Sequence, residues 1–100
     1  MKFKITVIAA MFIFSMQVNA EKSTHEICSD ASEGAEKIMK LRQQGYSMRK
    51  LMEEFQDNDF GKAIVQDAYD QPRYNTDEYQ QKIIKKFSNE IYSLCIKKSS

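Results

Sequence analysis

"NTDEYQQKIIKKFSNEIYSLC", Asn75 to Cys95, is the stretch that decides the fold. Asn75 can cap a helix, and Glu78 three residues on makes an Asn variant of the capping box. Tyr79, Ile83, Phe87, Ile91 and Leu94 or Cys95 then recur at steps of three and four residues, the signature of one helical face. The stripe ends on a cysteine, so this helix carries its own point of covalent attachment.

Immediately upstream, "DAYDQPRY" (Asp67 to Tyr74) contains the only proline of the chain. Proline lacks an amide donor and restricts the residue before it, so a helix bearing Phe60, Ile64, Val65, Ala68 and Tyr69 must stop before Pro72. Asp57, Asn58, Asp59 and Gly61 are turn formers that separate that helix from an earlier one, in which Met48, Met52 and Phe55 share a face. Ser47 is a suitable cap for the earlier helix, and Gly45 a natural stop for the one before it. That first helix opens on a capping box, Ser23 with Glu26, and carries Ile27, Ala31, Ala35, Ile38 and Leu41 on one side. Apolar and polar residues never alternate for long, so no strand is expected. The fold class is all-α: two long terminal helices, packed antiparallel, with two short central ones. The two central helices joined as one bent helix is the alternative.

Cys28 lies near the start of the first helix and Cys95 near the end of the last, ends that meet if the long helices are antiparallel. Two cysteines allow one intramolecular pairing, and the agreement of bridge with helical pattern strengthens both. Closing so long a loop stabilises a small domain by about 4 kcal/mol in the chain-entropy model. A reactive thiol or an intermolecular bridge are the competing readings.

The N-terminus, "MKFKITVIAAMFIFSMQVNA" (residues 1–20), has the layout of a secretory signal peptide. Lys2 and Lys4 precede a short apolar run, and Val18 and Ala20 place small residues before a cut. An uncleaved membrane anchor is the competing reading. Cleavage would leave residues 21–100 as one helical domain, periplasmic or secreted, a compartment that favours the disulfide. Without Lys2 and Lys4 the 15 basic residues fall to 13, against 14 acids. That balance argues against a nucleic-acid binder, which needs a concentrated basic footprint. The distribution is uneven: Glu53 to Asp70 holds six acids and one lysine, while Lys82, Lys85, Lys86, Lys97 and Lys98 make the last segment basic. This reads as complementary charge and solvated faces, with a docking patch as the competing reading. No membrane insertion is expected after leader removal, and the chain is expected to run as a monomer.

Candidates for chemistry are few. His25 is the only histidine, and with Cys28 it supplies at most two ligands where a closed zinc site needs four. In "DNDFG" the glycine falls at the fifth position from Asp57 and the twelfth is Ala68, so the EF-hand pattern fails. Three glycines leave no phosphate-binding loop, and paired carboxylates are recognised by a separation that sequence does not carry. No catalytic residue, metal or cofactor is expected. Surfaces remain: of the five tyrosines, Tyr46 and Tyr74 fall in expected loops, beside Arg73. Tyr46, Arg73 and Tyr74 are the candidate partner-binding residues, since tyrosine and arginine are enriched at interfaces. For Arg73 and Tyr74 the competing reading is local structure, with Arg73 meeting the acids of the third helix.

The joint pattern "C…A…A…IM.LRQ.G.S" with "IV.DAY..PRY.T.EYQ..I..F..E.Y..C" resembles uncharacterised small exported helical proteins of proteobacteria and their phages. The resemblance spans nearly all of the chain after the leader and implies a fold and a compartment, with no activity attached. Periplasmic acid-stress chaperones are similar in layout, being small, helical and held by one disulfide. In this chain, however, the cysteines enclose almost the entire domain. The function expected is a non-enzymatic interaction module, an inhibitor or adaptor whose partner is an envelope or extracellular protein. A periplasmic acid-stress chaperone is the alternative, and a small cell-wall hydrolase the third.

Overall fold

A computed structural model describes residues 23–99. The expected leader, residues 1–20, lies outside them. Four helices follow in order: α1 (Thr24–Gln43), α2 (Met48–Glu54), α3 (Asp59–Asp70) and α4 (Asp77–Ser99). The two central helices are separate, and no strand occurs among the described residues.

Local chemistry sets most boundaries. Ser23 Oγ accepts the Glu26 amide at 3.2 Å and starts α1. At the other end Tyr46 N–H donates to Leu41 O and Gly45 N–H to Arg42 O, both at 3.0 Å. These are the two bonds of a Schellman motif, and Gly45 supplies the left-handed residue it requires, at φ 86°. Ser47 caps α2 and Asn58 caps α3, the latter accepting the Gly61 amide at 2.9 Å. The start of α4 differs from expectation. Thr76, not Asn75, receives the Tyr79 amide on its side chain, at 3.4 Å, and the Gln80 amide on its carbonyl, at 3.0 Å. A capping side chain serves the amides two and three residues ahead, so the first helical residue moves on to Asp77.

The most extensive packing is between α1 and α4, which run antiparallel; α3 lies on α1, and α2 on α3. Cys28 and Cys95 form the disulfide, with Cα atoms 5.5 Å apart and a sequence separation of 67. Midway along the same interface the backbones approach closely at Ser32 and Ser88. Each hydroxyl reaches the other residue's carbonyl, at 3.0 and 3.1 Å, with the two oxygens 2.6 Å apart. The pair satisfies its own polar groups inside a helix–helix seam, where an unpaired hydroxyl would be destabilising.

The core comprises Ala35, Ile38 and Met39 of α1, Leu51 of α2, Ile64, Val65 and Ala68 of α3, and Ile83, Ile84, Phe87 and Ile91 of α4. Each large aliphatic or aromatic side chain so buried contributes about 1.5–3 kcal/mol. Five residues placed on the apolar stripes prove exposed: Ile27 at 50%, Met48 at 37%, Phe60 at 52%, Tyr79 at 53% and Leu94, the alternative to Cys95, at 49%. Helical periodicity identifies a face, but each of these lies where no neighbouring helix covers it. Gly61, by contrast, is buried beneath the Phe55 ring, where a side chain would collide.

Candidate functional site

The three candidate partner-binding residues converge on the end of the bundle where α1 stops and the α3–α4 loop returns. The residue that organises this end is Gln43, the one buried polar side chain of the described core, 1% exposed. Its amide oxygen accepts the Tyr74 N–H at 2.8 Å, while its nitrogen donates to Pro72 O at 3.0 Å and to Met39 Sδ at 3.4 Å. Its own backbone carbonyl, near the end of α1, accepts Arg73 Nε at 2.9 Å. The amide orientation is dictated by its partners, because Tyr74 N–H can only donate and Pro72 O can only accept.

Arg73 therefore acts on α1. Its guanidinium satisfies a carbonyl in the last turn and lies against Gly45, where a Cβ would sit 3.1 Å from Nη2. The expectation that it meets the acids of the third helix is corrected: among the described residues Arg73 forms no ion pair, and its guanidinium meets a carbonyl at the α1 C-terminus, where the helix dipole favours a cation. Tyr46 is half-buried against the core, and its carbonyl accepts the Tyr69 hydroxyl. Burial raises the Tyr69 phenol above its ordinary value of 10.0, opposed by the Arg42 guanidinium and assisted by Tyr46. Arg42 stacks 4.9 Å above the Tyr69 ring and donates from Nη2 to Gln71 O at 3.1 Å. Its Nε is buried with no hydrogen-bond partner. Tyr46 and Arg73 thus serve the loop, which accounts for them structurally.

Tyr74 is different. Its backbone is held on both sides, by Gln43 and by Gln80 Nε2, which donates to Tyr74 O at 2.7 Å. Its half-buried ring packs against the core and lies beside Tyr79, with centroids 5.8 Å apart and planes inclined by 31°. Lys82 Nζ stands 5.3 Å from the Tyr79 ring centroid. Tyr74, Tyr79, Lys82, Ile83 and Lys86 line an open cleft of about 200 Å³. Sequence reasoning missed Gln43, although it stands four residues beyond Met39 and eight beyond Ala35, a polar residue on an apolar stripe. It missed Tyr79 because the same periodicity that marks α4 assigns that residue to its inner face, and it read Lys82 and Lys86 as part of a basic last segment whose charges are solvated.

A second cleft, of about 120 Å³, runs between α3 and α4, where exposed Phe60 and Leu94 flank Ile64 and Ile91, with Asp67 and Lys98 also lining it. His25, exposed in the first turn of α1, places Nδ1 2.8 Å from the Tyr92 hydroxyl. No group of three or more His, Cys, Asp or Glu residues able to hold a metal occurs among the described residues. Among them, too, no helix is long and apolar enough to cross a membrane. No family model matches the chain, and neither a curated protein nor a solved structure matches it.

Proposed function

We propose that this chain is a non-enzymatic interaction module of the periplasm or the secreted space, an inhibitor or adaptor that docks an envelope or extracellular protein. The observation that carries this reading is the Tyr74–Tyr79 pair: two aromatic rings presented side by side on a backbone held from both directions. An exposed Tyr79 backed by a half-buried Tyr74 supplies contact area on a frame with little ordering entropy left to lose. The disulfide supports the compartment, since such bridges persist where the surroundings are oxidising.

The chaperone alternative requires acid-labile contacts that open the fold. The ion pairs Lys62–Asp59 and Lys82–Glu78 each join residues of one helix, at 3.5 Å, and lie at the surface. Exposed pairs of this kind contribute little, so their protonation loosens little. Neither pair supplies such a contact.

The test is site-specific photocrosslinking in the oxidised, exported protein, with benzoylphenylalanine replacing Tyr79. A discrete covalent adduct to one envelope or extracellular protein is expected. The same probe at exposed Glu36, on α1, should give none. Equal, diffuse labelling from both positions would overturn the reading.

A further inference from the structure

We infer that the Tyr74–Tyr79 cleft takes an acidic peptide segment of the partner, an apolar side chain lying on the tyrosine rings and a carboxylate meeting Lys82 and Lys86. This rests on the interaction-module reading and adds the chemistry of what is bound.

The cleft has two kinds of wall. One is aromatic and aliphatic: the Tyr74 and Tyr79 rings, with Ile83 buried at the base. The other is cationic, formed by Lys82 and Lys86 one turn apart on α4. No acid lines it. Glu78, one turn before Lys82, holds that ammonium at 3.5 Å through an exposed pair. Lys86 makes no ion pair among the described residues. A carboxylate entering beside Lys86 gains an unengaged cation without displacing a buried partner, and complementary charge of this sort directs encounter and register. The apolar wall explains why the ligand needs more than charge, since burial on tyrosine supplies attraction that an exposed ion pair does not.

The choice of a peptide over other polyanions follows from how little positive charge there is. Of the 15 basic residues Lys2, Lys4 and Lys22 precede the described region, as does Glu21 of the 14 acids, leaving 12 against 13. Nucleic-acid binding relies on several phosphate contacts, and an anionic bilayer attracts each nearby lysine by only about 1 kcal/mol. Two lysines around an aromatic pocket suit a single carboxylate with an apolar neighbour. The pocket is also preorganised, because Gln43 and Gln80 secure the Tyr74 backbone before any ligand arrives.

The experiment is an NMR titration of the disulfide-intact, ¹⁵N-labelled protein with the peptide acetyl-Glu-Asp-Phe-Glu-Asp-amide. The comparison probes are acetyl-Lys-Lys-Phe-Lys-Lys-amide and phosphatidylglycerol vesicles. Saturable shifts confined to the amides of Tyr74, Tyr79, Lys82, Ile83 and Lys86 are expected with the acidic peptide alone. Lys86→Glu should weaken them by about ten-fold while leaving the far-UV spectrum and Tm unchanged. No saturable shift at these amides, an equal response to the basic peptide, or a preference for vesicles would each overturn the inference. If the peptide fails while the position-79 crosslink persists, the acidic chemistry falls and the module reading stands. If that crosslink is absent, the module reading falls whatever the peptide does.

Discussion

Gln43 holds Tyr74 by its backbone: the buried amide oxygen accepts the Tyr74 N–H at 2.8 Å, 31 residues away in sequence. The same amide donates to Pro72 O, so one side chain at the end of α1 pins both sides of Arg73. The loop that could have been a flexible hinge is instead part of the core's polar accounting, and the tyrosine it carries is positioned before any partner is met.

Replacing Gln43 therefore disturbs both stability and the cleft. Gln43→Leu fills the volume but strands the Tyr74 amide and the Pro72 carbonyl, which costs about 1–3 kcal/mol. Gln43→Glu restores an acceptor for Tyr74 and no donor for Pro72. Urea denaturation should rank wild type above both variants. Faster hydrogen exchange at the Tyr74 amide in Gln43→Leu is the local readout that ordinary core damage does not predict.

Reduction should weaken the fold without changing its class. The bridge joins residues 67 apart in sequence, worth about 4 kcal/mol in the chain-entropy model. A Cys28→Ser, Cys95→Ser double variant should keep its helical far-UV spectrum at low temperature and melt far lower than wild type. Thiol titration of the folded, unreduced wild type should find none free.

Gly61 offers a contest between two opposing terms. Alanine has the better helix propensity, by up to about 1 kcal/mol. A methyl there, however, overlaps the Phe55 ring at Cδ1 and comes within 2.9 Å of its Cγ. Overpacking of this kind destabilises by about 1–3 kcal/mol, so Gly61→Ala should lower the urea midpoint. Pairing it with Phe55→Leu should recover part of the loss.

The start of α4 distinguishes two adjacent side chains. Thr76→Ala removes the cap and should destabilise by about 1 kcal/mol. Asn75→Ala should have little effect, since its side chain receives none of the α4 amides. Thermal melts of the two single variants settle the order.

Tyr69 makes stability fall in alkali. Its phenol is raised above 10.0 chiefly by burial, so the folded state holds the proton more tightly than the unfolded chain does. The stabilisation is intact below pH 10.0, the unfolded value, and is lost as pH rises through the higher folded value. The phenolate also cannot donate to Tyr46 O. Urea midpoints measured from pH 8 to pH 11 should drop more steeply for wild type than for Tyr69→Phe, the difference isolating this group from the other tyrosines.

The helices, the Ser23 and Ser47 caps, the Gly45 stop and the Cys28–Cys95 bridge could all be read directly, because each depends on neighbours within a turn or two, or on a pairing with one solution. The α4 cap was misread by one residue, since Asn75 and Thr76 are both competent caps and the choice depends on how the preceding loop is held. Arg73 and Tyr74 could be named as candidates from their place in the loop, yet what holds them, one by its side chain to an α1 carbonyl and one by its backbone amide to the Gln43 side chain, lies in contacts made across 30 and 31 residues.

By itself the sequence determined an all-helical chain of four segments, stapled between its first and last helices, because helical periodicity and capping are local and two cysteines pair in one way. Only the tertiary structure decided which stripe residues are covered. Tyr79 and Ile83 are one turn apart on α4, yet one is 53% exposed and the other 7%. Burial depends on what stands opposite, and beside Tyr79 there is no helix, only Tyr74 on a loop that Gln43 holds in place.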